Sequence, residues 1–415
     1  MIIMAIRLLP IVVGLLAIIG RVDCAWGIPE TRDFVPLSTA STKFSQKLYK
    51  DLAINRPNAV FSPFSAHVAL SMAYLGARGN TANELRTALQ LTPEIEVHDN
   101  YQELIDLLNK VNDVTLDIAN SVWIHPDITL LEDYKTELVT KYYANVDALD
   151  FSNPNGPEQP INTWVAKQTR DKIRAIVPHG VLSPSTSLII VNTVYFSADW
   201  NSGFNETLTK NKTFTKQDGL KVQVEMMTQT GRFEIKESVV AGAGVLRLPY
   251  SDERFAMYVL LPRTFSGLPD LEKTIADDDF DNDMLFNDFM EATVAVSLPK
   301  FQFTASMDLK NTLKKLGLSS AFSESANFSG ISATKTHISG VMQKAMVEIK
   351  ESGTVAAAVT EVDVSNRSTF PAVKKTPFTF NADHPFVYFI RQDSSGQILF
   401  HGKLSDPQME KMEAS

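Results

Sequence analysis

Near the start of the chain Phe44, Leu48 and Leu52 recur at helical spacing and predict a first helix over 38–53. A mostly apolar run follows Ser62 and Pro63 and ends at Gly76. Ser62 suits a helix cap, Pro63 a first turn and Gly76 a stop. Because this helix has no polar face, it is expected to be buried in the middle of the fold. Thr81-Ala-Asn-Glu84 has the spacing of a capping box and predicts another helix. Val114–Ile124 reads as a strand, and 130–142 and 160–175 as helices. Residues 187–196 are apolar almost throughout, the pattern of a strand covered on both faces. Further strands are predicted at 222–227, 244–248, 255–261, 293–303, 341–349, 386–391 and 398–404, and helices at 268–275, 284–289 and 307–316. Asp393-Ser-Ser-Gly396 has the composition of a hairpin turn. Helices mixed with largely antiparallel strands, without repeat or linker, imply one α+β domain.

The most informative alternation lies in residues 351–368. Thr354, Ala356, Ala358, Thr360, Val362 and Val364 fall on one side, all small or β-branched and none charged. Val355, Ala357, Val359, Glu361, Asp363 and Ser365 alternate with them and carry two acids. As a strand the segment has one dry face and one partly charged face. Alternation alone describes an edge strand followed by a turn. Its flanks, Lys350-Glu-Ser-Gly353 on one side and Asn366-Arg-Ser with Pro371 on the other, read as exposed loop. The segment is therefore a loop whose side chains are arranged for burial in a sheet.

Composition narrows the function. The chain has 415 residues, 44% hydrophobic and 21% charged, with a net charge of −9, so nothing draws it as a whole to nucleic acid or an anionic membrane. Residues 1–24 read as a secretory signal: Arg7, then an apolar run from 8 to 19 too short to span a bilayer. The only cysteine, Cys24, lies at its end, so residues 25–415 must be held by their core without disulfides. Sequons at Asn205, Asn211, Asn327 and Asn366 fit export. The first three are expected to be glycosylated, and Asn366 to be mostly unmodified. The seven histidines are scattered, and neither catalytic nor metal-ligating residues assemble by any spacing, so no cofactor is expected.

Glu351-x-Gly353-Thr354-x-Ala356-Ala357-Ala358-x-Thr360 resembles the reactive-loop hinge of inhibitory serpins, and Phe380-Asn-Ala-Asp-His-Pro-Phe386 resembles another motif of that family. The likeness extends over most of the chain, through Asn58 to Leu85, Asn162-Thr-Trp164 with Thr169 and Lys172, and Asn192-Thr-Val-Tyr-Phe with Trp200. It implies three β-sheets, about nine helices and an exposed reactive-centre loop at about 351–371. Counting Thr360 as the first residue, the eighth is Arg367, so the resemblance places the scissile bond between Arg367 and Ser368. It also implies that Trp200, Lys300 and Glu351 belong to a "breach" above the main sheet, with Lys300 and Glu351 as an ion pair. Ser62, Ser65, Asn192 and Gln343 would belong to a "shutter" beneath that sheet. Gln343 stands where many relatives have histidine; an amide keeps the hydrogen bonds without a titrating charge.

The function implied is secreted suicide-substrate inhibition of a trypsin-like serine protease, the partner held as a covalent acyl complex and the inhibitor a monomer. Arg367 matches the carboxylate of a trypsin-like pocket in charge and forked geometry. The other reading is a non-inhibitory serpin acting as carrier, storage protein or chaperone. There the hinge typically carries bulky or charged residues, and this one does not. The helix expected near 99–109 holds more acid than base, which gives no support to activation by heparin through it.

Overall fold

The apolar run that demanded cover on both faces becomes strand Leu188–Ala198, in which every residue but Ser197 is buried. The computed structural model describes residues 34–111, 114–353, 376–408 and 411–413, all within the compact unit Phe34–Ser415. With strands numbered in chain order, a six-stranded sheet runs β15 (Lys411–Glu413), β10 (Phe301–Asp308), β11 (Ile338–Ile349), β4 (Leu188–Ala198), β2 (Val114–Ile124) and β3 (Asn145–Ala148). A nine-stranded sheet runs β1 (Asn58–Phe61), β14 (Gln397–Leu404), β13 (Phe386–Gln392), β8 (Phe255–Pro262), β7 (Ala243–Pro249), β6 (Lys221–Ser238), β9 (Met290–Pro299) and β12 (Phe378–Asn381). In this sheet β5 (Lys210–Thr215) also pairs with β6.

The three expected sheets are present as one separate sheet and two halves fused along β6. That strand pairs with β5 over its first residues and with β7 over Glu234–Ser238, while Met226–Ile235 bond to β9 on the other side. The described helices are α1 (Val35–Leu52), α2 (Pro63–Gly76), α3 (Gly79–Ala88), α4 (Val97–Asn109), α5 (Glu132–Tyr142), α6 (Glu158–Gln168), α7 (Leu268–Ile275) and α8 (Lys310–Lys315), with three short 3-10 segments. None is long and apolar enough to cross a membrane.

Helix α2 is the element on which both sheets rest. Ser62 Oγ accepts the Ser65 amide at 3.1 Å and closes its N-terminus, Pro63 occupies the first turn, and nearly every residue is buried. Packing against β14 on one side and β4 on the other requires an apolar surface all round.

Four local expectations give way to tertiary contacts. Thr81 lies inside α3, and Arg78 is the N-cap residue. Thr81 Oγ1 accepts the Asn327 amide at 2.9 Å and Glu84 accepts the amides of Ser319 and Ser320, so both residues bind a neighbouring loop instead of their own helix end. Helix α6 stops at Gln168 because Arg170 and Asp171 take positive φ, 49° and 60°, and Thr169 Oγ1 bonds to Val165 and Ile173. The apolar run at 293–303 divides at Lys300 between β9 and β10, which lie in different sheets. Met307 belongs to β10, and the helix after it is only Lys310–Lys315.

Candidate functional site

The six-stranded sheet contains an unusual seam at its centre. Strand β11 is antiparallel to β10, and β4 is antiparallel to β2, yet β11 and β4 lie side by side in parallel from Ile338↔Leu188 to Val347↔Phe196. Parallel pairing is the less stable of the two per residue. A chain that left β11 at Ile349 and turned back between these strands would be antiparallel to both neighbours. The residues that follow β11 are those with the alternating pattern. The seam is a slot matched in direction to the segment next in sequence.

The mouth of the seam is held by backbone and by one ion pair. Trp200 donates its amide to Ser352 O at 3.0 Å and its indole N–H to Lys350 O at 2.7 Å, and Phe204 N–H reaches Glu351 O at 2.9 Å. The Trp200 indole stacks on Tyr250, ring centroids 4.5 Å apart. Gly353 bridges to Trp200 with φ of 153°, and a Cβ built there would come within 2.4 Å of Trp200 O. Gly203 faces it, and a Cβ on Gly203 would meet Gly353 C at 2.8 Å. Two glycines are needed for the backbones to approach this closely.

Glu351 is buried and makes an ion pair with Lys300 at 3.0 Å, and its other oxygen accepts from Thr209 Oγ1 at 3.0 Å. Burial, the largest single influence, pushes the Glu351 carboxyl up. The Lys300 ammonium, the Glu351 amide and the Thr209 hydroxyl outweigh it, and the carboxyl ends below its ordinary range. A carboxyl depressed on folding contributes stability above its unfolded pKa and loses it as pH falls through the folded value. Lys300→Met is therefore expected to cost about 1 kcal/mol at neutral pH, the half-exposed lysine being screened by water. Urea unfolding should show that difference shrinking as the pH is lowered through and below the ordinary glutamate range.

Midway along the seam lies a buried polar cluster. Gln343 and Asn192 are opposite each other across it, and Asn120 is opposite Asn192 on the far side. Gln343 Oε1 accepts the Ser62 amide at 3.1 Å and its Nε2 donates to Ser62 O at 2.9 Å. Asn192 Nδ2 donates to Asn120 Oδ1 at 2.7 Å, and Ser65 Oγ donates to Asn192 Oδ1. The cluster ties the N-terminus of α2 to both strands of the seam. None of these four side chains titrates near neutrality, so the tie is insensitive to pH.

Lys300, Glu351, Gly353 and Trp200 are thus gathered at one point, and Ser62, Ser65, Asn192 and Gln343 at another. Thr354, Ala356, Ala357, Ala358, Thr360, Arg367, Ser368 and Asn366 lie outside the described residues. Asn205, Asn211 and Asn327 are exposed. Sequence reasoning missed Asn120, Thr209 and Gly203. Strand β2 also carries Thr115, Asp117 and Ser121, so its pattern did not single out Asn120, and for Thr209 the sequence carries no signal either.

The chain matches the family model "Serpin (serine protease inhibitor)" over residues 39–407. It is 33% identical to human Serpin B3 over 391 residues, covering 89% of this chain and 99% of that one. It is 36% identical to intracellular coagulation inhibitor 1 of Tachypleus tridentatus over 381 residues, covering 89% of each. Among solved structures, serine protease inhibitor (serpin)-12 of Manduca sexta superposes with a TM-score of 0.80 at 28% identity, covering 90% of this chain and 99% of that one.

Proposed function

We propose, from the premise that the chain belongs to the serpin family, that it is a secreted suicide-substrate inhibitor of trypsin-like serine proteases. The observation that carries this reading is the parallel seam between β4 and β11, followed in sequence by a loop with one small, uncharged face. The protease serine attacks the Arg367 carbonyl, the Arg367–Ser368 peptide bond breaks, and the amine of Ser368 leaves with a proton. The result is an ester joining Arg367 to the protease. The freed loop enters the seam as a strand antiparallel to both neighbours and carries the protease with it. Hydrolysis of the ester is outrun by that movement. The inhibitor is consumed, and every catalytic group belongs to the target.

In this reading the Lys300–Glu351 pair with Trp200 forms the breach where insertion begins. Ser62, Ser65, Asn192 and Gln343 form the shutter that must yield as the strands part. Export through residues 1–24, glycans on Asn205, Asn211 and Asn327, an unmodified Asn366 and a monomeric state complete the proposal. A glycan beside the cut bond would hinder docking, so peptide mapping that found Asn366 fully occupied on active inhibitor would count against it.

The test is incubation with trypsin. A complex that survives SDS, together with a cleaved protein more heat-resistant than the intact one, is the expected result. A carrier would show cleavage alone, and an enzyme would show turnover of its own.

A further inference from the structure

Away from the seam, a cleft of about 1110 Å³ opens between the C-terminal end of α1, one face of α7, the β5–β6 turn and the end of β14. Its size suits a small molecule. Ile54, Pro57, Leu268, Pro269 and Ala276 supply an apolar wall. Its charges are largely settled among themselves. Lys50 pairs with Asp278 at 2.9 Å, Lys216 with Asp406 at 2.6 Å, and Lys403 with Glu272 at 2.6 Å. Asp218, Asp277 and Asp279 also line the cleft, with Arg56 and Lys273, so the acids outnumber the bases and an anion gains no net attraction.

The buried part of the cleft is less settled. Glu272 and Lys403 side chains are only 5% and 3% exposed, and Tyr49 and the Ile54 carbonyl are their other hydrogen-bond partners. Burial drives the Glu272 carboxyl up and the Lys403 ammonium down, each partner only partly opposing it. Ser405, 2% exposed and also lining the cleft, has a hydroxyl with no hydrogen-bond partner. A buried hydroxyl left unpaired is destabilising, and a ligand oxygen would supply the missing partner.

We propose that this cleft binds a neutral, largely apolar small molecule carrying a hydroxyl or carbonyl group at one end. The body lies against the apolar wall, and the oxygen bonds to the Ser405 hydroxyl and the Lys403 ammonium. Charged ligands are disfavoured because the lining pairs already neutralise one another. The site is independent of protease inhibition and stands or falls separately from it.

Nile red, a neutral dye with a carbonyl at one end, tests this on the full chain. Saturable one-to-one binding with a blue-shifted emission is expected. Lys273→Trp and Asn55→Trp, both at exposed lining positions, should weaken it about tenfold or more without altering thermal unfolding. Ser405→Ala should weaken it several-fold, and the anionic dye anilinonaphthalene sulfonate should bind about tenfold more weakly than Nile red. No saturable binding, binding unchanged in both tryptophan variants, or preference for the anionic dye would each overturn the site. Unchanged binding in Ser405→Ala would overturn the placement of the polar end.

Discussion

On the proposed mechanism, Thr354→Arg is expected to turn the protein from an inhibitor of trypsin into a substrate. Thr354 directly follows Gly353, which is held against Trp200 at the mouth of the seam, so in the proposed mechanism it is the first side chain to enter. It belongs to the alternating set without charge, and that set faces the interior once the segment is a strand. An arginine there must be desolvated with no acid opposite, at a cost of several kcal/mol. If about 3 kcal/mol of that cost appears in the barrier to insertion, insertion slows about a hundredfold. Deacylation then wins the competition, and the loop is cut without trapping the protease. Val359→Arg is the control, because Val359 lies on the opposite phase of the alternation, the side that would face solvent in the inserted strand. The SDS-stable complex should fall about tenfold or more in Thr354→Arg and remain in Val359→Arg. Cleaved Thr354→Arg should also lack the gain in heat resistance. Equal loss in both variants would mean that the period of two has no bearing on inhibition.

That period was legible because it is local: a strand's faces follow from its sequence alone. The covered character of β4 was legible for the same reason, and so was the all-apolar α2. The seam was not. Whether β11 pairs with β4 in parallel depends on strands about 150 residues apart, and nothing in either run encodes the direction of its neighbour. The glutamine–asparagine cluster shows the intermediate case. Gln343 and Asn192 were singled out through resemblance, but Asn120, which completes the chain of amides, became visible only when three strands were laid edge to edge. Thr81 and Glu84 show the converse error, in which correct local spacing was overruled. Their oxygens meet the amides of 319, 320 and 327 first, and a side chain can cap only one partner set at a time.

On the same mechanism, Arg367→Glu is expected to abolish inhibition of trypsin and to leave strand insertion intact. The guanidinium is proposed to meet a carboxylate at the base of the protease pocket, and its fork can donate two parallel hydrogen bonds. Glutamate brings two like charges together in a desolvated pocket, so the rate of complex formation should fall by about 10³-fold or more, an increase of about 4 kcal/mol in the barrier. Arg367→Lys keeps the charge and loses the fork, and should be slower than the parent yet far faster than Arg367→Glu. Arg367→Leu should move the specificity toward a chymotrypsin-like pocket, which accepts an apolar side chain. In every variant, cutting the loop with an unrelated protease should still raise the temperature of unfolding, because that gain depends on the 354–364 face and the seam. Those two results together would separate bait from spring: charge at Arg367 would select the protease, and the dry face before it would supply the energy that holds it. If Arg367→Glu trapped trypsin at the original rate, the cut bond would lie elsewhere, and the count from Thr360 would be the step to discard.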